Sequence, residues 1–289
     1  MKAVLTIAFL VMVFEALTAQ TVKYSTAWFG PNANPVPEFT DACIPQYSTI
    51  TLSSDYYFGF GDQTTNLNAR LEIPLLPERI SFVIWLTCLE RYSVTPEVNA
   101  DRGMPEGVFE GNAAGDFYVQ TRITILKNKA IMPDIILNST IKTASGTNFP
   151  ERRYFDTPGY FFNLEIAKSL STGMKFINEV RFVSNIGFLC WQTDSSMQDD
   201  AWLYGLKTIA GNNRWNLECS LSGYHGWMHT SPAYGPDYGD APVVFATRLN
   251  LFKWTSSFFT QYQVGLNDFP FHQLRLGVSI SMEKLTPRY

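Results

Sequence analysis

The feature that most constrains this chain is a strict alternation of side-chain types over residues 115–146. A period of two indicates extended strands, because successive side chains point to opposite faces of a strand. Residues 127–134 hold charged side chains, an amide and Pro133, which predict a turn between two such strands. Two strands of about ten residues with one apolar face suit a tilted pass through a bilayer, although a soluble β-hairpin has the same pattern. The apolar phase carries Phe117, Val119, Thr121, Ile123, Ile125, Ile135, Leu137, Ser139 and Ile141, and the polar phase carries Tyr118, Gln120, Arg122, Thr124, Asn138, Thr140 and Lys142.

The same alternation recurs along the chain and predicts an all-β fold, an antiparallel transmembrane β-barrel of about twelve strands. An even strand number is typical of single-chain bacterial barrels. In the third strand, the predicted inner face holds Ser81, Thr87 and Arg91. The predicted strands are 49–60, 65–73, 79–92, 117–125, 135–142, 159–168, 175–191, 200–209, 215–222, 243–251, 258–266 and 272–282.

The connections between these strands sort by length according to their parity. One set is short: 74–78, 127–133, 169–173, 210–213 and 252–256. The other set includes the long connections: 93–114, 143–158, 192–199 and 226–241. Short periplasmic turns and longer external loops are the pattern of outer-membrane barrels, whereas a soluble sandwich has no reason to sort its loops in this way. We therefore predict a bacterial outer-membrane barrel with both ends of the chain on the periplasmic side.

The N-terminal part divides into two regions ahead of the predicted barrel, which spans residues 48–289. Residues 1–19 have a positive start, a short apolar run and small residues before Gln20, which predict a cleaved signal peptide. Residues 20–47 are rich in Pro and Asn, and four prolines exclude a central strand. This region is either a loose periplasmic tail or a plug folded into the lumen. The aromatic residues that would pack there are Trp28, Phe29 and Phe39.

Composition supports a membrane barrel over a soluble domain. Charged residues make up 17% of the chain and aromatic residues 15%, whereas a soluble domain usually has about a quarter charged residues. The net charge of −4 argues against a nucleic-acid role, which would require basic clusters. The expected partners are outer-membrane lipid, the barrel-assembly machinery and a small-molecule solute, and we expect no nucleic-acid partner and no cofactor.

Ionisable side chains recur on the polar phase of the strands, which faces the predicted lumen. Burying a charge costs several kcal/mol unless it is paired or hydrated. These residues therefore form either ion pairs that fill the lumen or the walls of a water-filled path, and a barrel of this size allows both. The predicted lumen-lining residues are Arg70, Glu72, Arg122, Lys142, Glu165, Glu179, Arg181, Glu218, Arg248 and Arg275.

Other chemistry has weaker support in the sequence. Cys43, Cys88, Cys190 and Cys219 match no zinc spacing, and the last three fall on the apolar phase of separated strands, which favours free thiols over disulfides. No metal site is predicted, because the loop acids Asp194, Asp199, Asp200, Asp237 and Asp240 lack the spacing of a calcium loop. A Ser/His/acid set defined by composition alone is weak evidence for catalysis, so no catalytic residue is predicted. That set comprises His225 and His229 near Ser222, Ser231, Asp237 and Asp240.

The stretch GDFYVQTRITIL followed by MPDIILNSTIKTASG resembles the outer-membrane transporter family associated with meta-pathway phenol degradation. The matching positions are Gly115, Asp116, Arg122, Pro133, Lys142, Ser145 and Gly146, whereas Ala144 stands where the family commonly has proline. The stretches AWFGPNANPVP, FDTPGYFF and GFLCWQT resemble uncharacterised outer-membrane barrels of Gram-negative bacteria.

These resemblances imply a porin-like channel or transporter for passive passage of small, partly apolar molecules. The sequence is also compatible with two other functions. The first is a structural or assembly-accessory barrel with a plugged lumen, and the second is an outer-membrane lipid-modifying enzyme.

Overall fold

A computed structural model describes residues 28–127, 131–192, 198–227, 239–283 and 286, without the side chains of residues 198 and 199. The predicted signal peptide, residues 1–19, lies outside the described residues. So do His229, Ser231, Asp194 and Asp237.

The described chain forms a closed antiparallel barrel of twelve strands, as predicted. Each strand pairs with its neighbours along the chain, and pairing of β1 with β13 closes the ring. A thirteenth strand, β4, pairs only with the outer part of β3 and lies in the connection that follows it. The strands are β1 Ser48–Phe58, β2 Asp62–Leu76, β3 Ile80–Val94, β4 Glu110–Ala113, β5 Tyr118–Leu126, β6 Asp134–Lys142, β7 Gly159–Ser171, β8 Glu179–Gln192, β9 Gln198–Gly211, β10 Trp215–Gly226, β11 Val243–Lys253, β12 Ser256–Asn267 and β13 His272–Met282.

The two ends of the barrel differ in the length of their connections. At one end, here called the turn end, the links are 77–79, 127–133, 172–178, 212–214 and 254–255. The other end, the loop end, carries the links 59–61, 95–117, 143–158, 193–197, 227–242 and 268–271. The 95–117 link contains a single-turn helix, α1 Pro96–Asp101, whose first turn is capped by the side chain of Thr95. No helix among the described residues is long and apolar enough to cross a membrane.

The outer surface of the barrel is apolar, because the apolar phase of the strands points outward. Leu52, Leu67, Leu206 and Leu276 are each about half exposed or more, although they sit in the middle of paired strands. Rings at the loop end form an outer aromatic group in which Trp227 contacts Trp202 and Phe188. An apolar band with interfacial aromatic residues is the outer surface that a lipid bilayer requires.

A β-bulge in β3 reverses the phase of that strand near the loop end. Leu67 and Asn68 of β2 pair with Leu89 and Thr87, so Cys88 is the extra residue. Beyond it, Glu90 and Tyr92 are buried inside the barrel and Arg91 is exposed outside. The prediction that Arg91 faces inward is therefore wrong, because an unpaired residue shifts a period-two pattern by one position.

Residues 28–47, here called the inner segment, run through the barrel from the loop end to the turn end. Near the loop end, Trp28 Nε1 donates to the carbonyl of Asp101 at 3.2 Å. Farther along, Phe39 and Ile44 pack on inward-facing apolar side chains of the strands. The segment then joins β1 at Ser48. It has extended and turn backbone without strand pairing, as its prolines require.

The lumen as the candidate functional site

One cavity of about 860 Å³ follows the interior of the barrel along its length. Its lining begins at Tyr154 in a loop-end connection and reaches Asn212 and Asn213 in a turn-end connection. Residues of the inner segment, including Pro35 and Glu38, form part of its wall. The barrel is therefore neither filled by its own side chains nor fully open.

The structure places most of the predicted charged residues on the wall of this cavity. Lys142 lies elsewhere: it is buried near the loop end, with Nζ 2.8 Å from Asp116 Oδ2. Lys207 also lines the cavity but is not among the predicted residues, because no face was assigned to the strand that contains it. The sequence does contain a signal for its inward position, because Lys207 lies on the same face of β9 as the small residues that line the interior. The predicted residues on the cavity wall are Arg70, Glu72, Arg122, Glu165, Glu179, Arg181, Glu218, Arg248 and Arg275.

The inner segment lies against one wall, formed by β5–β9, which we call the held side. Apolar contacts fix it there: Phe39, Ala42 and Ile44 cluster with Ile136, Ala167, Val183 and Ile209. Gly205 of β9 allows the Phe39 ring to approach closely, because a Cβ at that position would be 2.5 Å from the ring. Phe39 is only 5% exposed, so this wall is covered in the middle of the barrel.

Thr40 is the centre of a charged hydrogen-bond network on the held side. Its amide N–H donates to Glu165 Oε1 at 2.9 Å and its hydroxyl to Glu165 Oε2 at 2.6 Å. Arg122 Nη2 donates to the same hydroxyl at 2.5 Å, and Arg122 Nη1 donates to Glu72 Oε1 at 2.6 Å. Charge-assisted bonds of this kind are stronger than neutral ones. The charged side chains of Glu165 and Arg122 therefore hold the inner segment against the wall.

Two further cations bind the backbone of the inner segment. Arg181 Nε donates to the carbonyl of Asp41 at 2.7 Å, and its Nη2 is 2.7 Å from Asp134 Oδ2. Lys207 Nζ donates to the carbonyl of Phe39 and lies 3.5 Å from Glu218 Oε2. Carbonyls of a segment without strand pairing need such donors when they are buried. The held side supplies them.

The opposite wall, formed by β11–β13, β1 and β2, faces the cavity directly and is called the open side. Arg275 on this wall donates from Nε to Asp55 Oδ1 at 2.6 Å and from Nη1 to Glu38 Oε1 at 2.6 Å. Glu38 thus extends from the inner segment across the cavity, and its side chain stays 57% exposed. This contact is a constriction made by one ion pair.

The other two arginines of the open side have few partners among the described residues. Arg248 makes one hydrogen bond, from Nε to Asn250 at 3.0 Å, and its guanidinium lies 3.6 Å from the centre of the Phe259 ring. Arg70 makes no hydrogen bond to any described residue, and its nearest carboxylate oxygen, on Glu72, is 3.6 Å away. A guanidinium has five N–H donors. Most donors of these two side chains are therefore available to water or solute.

The upper part of the lumen is lined by aromatic side chains. Trp85 stacks on Tyr118 with ring centres 4.9 Å apart, and the guanidinium carbon of Arg70 lies 5.3 Å from the centre of the Trp85 ring. Phe161 contacts Trp191 edge to face. The Tyr118 hydroxyl and the Trp191 Nε1 are buried donors that make no hydrogen bond within the described chain. Both residues line the cavity.

A separate buried charge cluster joins the inner segment to the loop end. Arg153 Nη1 lies 2.8 Å from Asp62 Oδ2, its Nε bonds to Glu90, and Arg102 Nη1 lies 2.6 Å from Asp62 Oδ2. Although burial opposes the charged form of Arg153, Asp62 and Glu90 hold its pKa above the usual value. Burial, followed by the neighbouring Glu90 carboxylate, raises the pKa of Tyr154 well above its usual value. This cluster fixes the loops over one side of the barrel.

Trp28 and Phe29, the other two plug candidates, lie beside this cluster rather than in the centre of the lumen. They pack with Ala33 and Phe155, and the Phe29 and Phe155 rings stack with centres 4.0 Å apart. The guanidinium of Arg152 lies over the Trp28 ring at 4.4 Å. Of the three aromatic residues, Phe39 therefore lies deepest in the barrel.

The described part of the chain brings together no hydrolytic or metal-binding set. Ser222 is buried inside the barrel, whereas His225, three residues later on β10, is exposed. No group of three His, Cys, Asp or Glu side chains suited to a metal ion occurs among the described residues. None of the four cysteines, all of which lie among the described residues, forms a disulfide. Cys190 is on the outward phase, as predicted, but is only 1% exposed, and the side chain of Tyr160, its partner in register on β7, interacts with it.

Comparison with solved structures shows the class of this barrel. It is similar to the COG4313 outer membrane channel from Pseudomonas putida F1, with 12% identity, a TM-score of 0.55 and coverage of 82% of this chain and 96% of that one. It is also similar to the NanC porin, with 10% identity, a TM-score of 0.52 and coverage of 81% and 100%. No protein-family model and no curated protein matches the chain. The fold is thus that of outer-membrane channels and porins, and membership of the phenol meta-pathway family stays a prediction.

Proposed function

We propose that this protein is an outer-membrane channel through which small solutes pass by diffusion. The observation that carries the proposal is the cavity that continues from the loop end to the turn end inside a barrel with an apolar outer surface. Its open side is lined by groups that water solvates well, such as Thr51, Ser53 and Asn68. A polar path inside a membrane barrel is suited to conduction.

The inner segment sets the size limit of this path. It occupies the held side of the lumen, and Glu38 extends to Arg275 on the open side. A twelve-stranded barrel is intermediate between filled eight-stranded barrels and open porins of sixteen strands. With part of its cross-section occupied, the path suits small molecules and excludes folded proteins.

The orientation follows the usual arrangement of outer-membrane barrels. The loop end faces the exterior, the turn end faces the periplasm, and the outer surface contacts lipid after insertion by the barrel-assembly machinery. This assignment rests on the short connections at one end and the long ones at the other. Aromatic residues in the upper lumen, including Tyr118 and Trp191, favour solutes with an apolar part.

The test is blockade of current by modification of a single lumen position. The variants Ser53→Cys and Leu52→Cys are made in a Cys43→Ser background, because Cys43 itself lines the cavity. Each purified protein is reconstituted into planar bilayers, and a charged methanethiosulfonate reagent is added. Ser53 lines the cavity and Leu52 is exposed on the outer surface. The reagent should reduce the conductance of the Ser53→Cys channel and leave that of Leu52→Cys unchanged.

Absence of conductance from a correctly folded protein would contradict the proposal. Folding is verified by the heat-dependent migration of the barrel in gel electrophoresis. A non-conducting barrel would favour a structural role, for which the charged contacts between the inner segment and the wall are the supporting observation.

A further inference from the structure

We propose that the open side of the lumen, together with the aromatic residues that line the upper lumen on β3, β5, β7 and β8, is a binding site for small organic anions that carry a carboxylate on an apolar or aromatic body. The proposal rests on the channel function proposed above and names the class of solute. The site has two parts: an arginine arc, formed by Arg70, Arg248 and Arg275, and the aromatic lining above it.

The arginine arc lies on one continuous wall. Arg275 of β13 pairs in register with Gln261 of β12, and Gln261 pairs with Arg248 of β11. On the other side, Arg275 pairs with Asp55 of β1, whose neighbouring strand β2 carries Arg70. All three arginines line the same cavity. The arc therefore directs three cations at one space.

Two of these cations, Arg70 and Arg248, are not used to fix the barrel in the way that Arg122 is used, whereas Arg275 already donates to Asp55 and Glu38. Arg70 and Arg248 keep most of their N–H donors free of described partners, as their contacts above show. Acidic groups near the arc are already engaged: Glu218 accepts from Asn250 at 2.6 Å and lies 3.5 Å from Lys207, and Glu72 accepts from Arg122. Guanidinium groups bind carboxylates by paired hydrogen bonds. An anionic solute would supply the acceptors that this wall lacks.

Glu38 shows that a carboxylate fits this site. It is attached to the inner segment, not to the wall, and its Oε1 accepts from Arg275 Nη1 at 2.6 Å while most of the side chain stays exposed in the cavity. A solute carboxylate would compete with Glu38 for Arg275 and pass on along Arg248 and Arg70. Glu38 thus acts as a replaceable internal anion.

The body of the solute would rest on the aromatic part of the site. Trp85 connects the two parts, since Arg70 covers it and Tyr118 stacks on it. Tyr118 and Trp191 line the cavity, whereas the Tyr118 hydroxyl and the Trp191 Nε1 are buried atoms without a described hydrogen-bond partner, so these two residues contribute mainly ring surface. Such a site combines apolar surface with a few placed polar groups, as ligand sites generally do.

The experiment compares benzoate with benzamide, which has nearly the same shape and no charge. Binding to the folded protein in detergent is measured by saturation-transfer NMR, and block of KCl current is measured in planar bilayers. Benzoate should bind and reduce the current in a concentration-dependent manner, and benzamide should do neither.

Arg248→Gln and Arg70→Gln should each weaken benzoate binding about tenfold, because hydrogen bonds to charged groups are the stronger class. Glu38→Gln should strengthen it.

The matched control is Arg91→Gln, which removes the same charge from the outer surface of the barrel. Equal binding of benzoate and benzamide would overturn the proposal, as would arc variants that bind benzoate like Arg91→Gln. Conductance without selective benzoate binding would leave the channel function intact and reject the anion site. Selective benzoate binding without conductance would keep the anion site and reject the channel, so the two proposals fail separately.

Discussion

The held side and the open side of the lumen have similar side chains and use them differently. On the held side, Arg122 donates to Glu72 and to the Thr40 hydroxyl, and Arg181 donates to Asp134 and to the carbonyl of Asp41. On the open side, Arg70 and Arg248 have few described partners and face the cavity. Charge type alone therefore does not decide whether a lumen residue fixes structure or meets solute. The position of the inner segment decides it.

This difference has an energetic reason. A charge buried without a partner costs several kcal/mol, so a segment that covers charged wall residues must supply partners for them. Thr40, Asp41 and Ala42 do so with a hydroxyl and carbonyl oxygens. Where no segment covers the wall, water can solvate the charges, and a solute can replace that water.

The largest expected effect comes from deleting residues 28–44. The deletion removes the cover of the held side, so conductance should increase severalfold and the two sides should become alike in their access to water-soluble thiol reagents. Single-channel recording of the deletion variant measures the change. An assembled deletion variant with unchanged conductance would show that the inner segment does not narrow the path.

Phe39→Ala should loosen the inner segment without removing it. Replacing a buried Phe by Ala costs about 3–5 kcal/mol when the cavity does not collapse, and Phe39 belongs to a buried cluster that includes residues of four held-side strands. Guanidinium unfolding of the barrel in lipid vesicles, followed by tryptophan fluorescence, measures the loss. Phe39→Leu, which keeps most of the apolar volume, should lose much less. Equal losses for the two variants would mean that Phe39 packing does not hold the segment.

Thr40→Val tests the charged network of the held side. The substitution keeps the shape but removes the hydroxyl that Arg122 and Glu165 share, and leaving buried groups unsatisfied costs about 1–3 kcal/mol. The same unfolding assay measures it, and Thr40→Ser should restore most of the stability. If Ser and Val behave alike, the hydroxyl does not carry the network.

The smallest effect is expected from the corresponding change on the open side. Thr51 shares a hydrogen bond with Ser279 at 2.7 Å, and both side chains line the cavity. Thr51→Val should cost about 0.5 kcal/mol or less, because water can satisfy the remaining hydroxyl. A loss as large as that of Thr40→Val would contradict the distinction between the two sides.

Much of the barrel could be predicted from the sequence, because strand alternation is a local property. Arg70, Glu72 and Arg122 face inward for the same reason that Leu67 and Ile123 face outward: one period of two runs through each strand. The prediction was wrong for Arg91, where Cys88 forms a bulge that no residue type signals. That shift moves Glu90 inward to Arg153 and builds the charge cluster of the loop end.

The sequence by itself determined the number of barrel strands, the two faces and the two unlike ends, since each depends on residues that are neighbours in the chain. Only the tertiary structure decided which charges are paired. Thr40 meets Glu165 and Glu38 meets Arg275 across more than one hundred residues, and no local pattern encodes such a distance. Closure of the barrel brings these side chains together, and the lateral position of the inner segment then separates the charges that fix it from those that face the cavity.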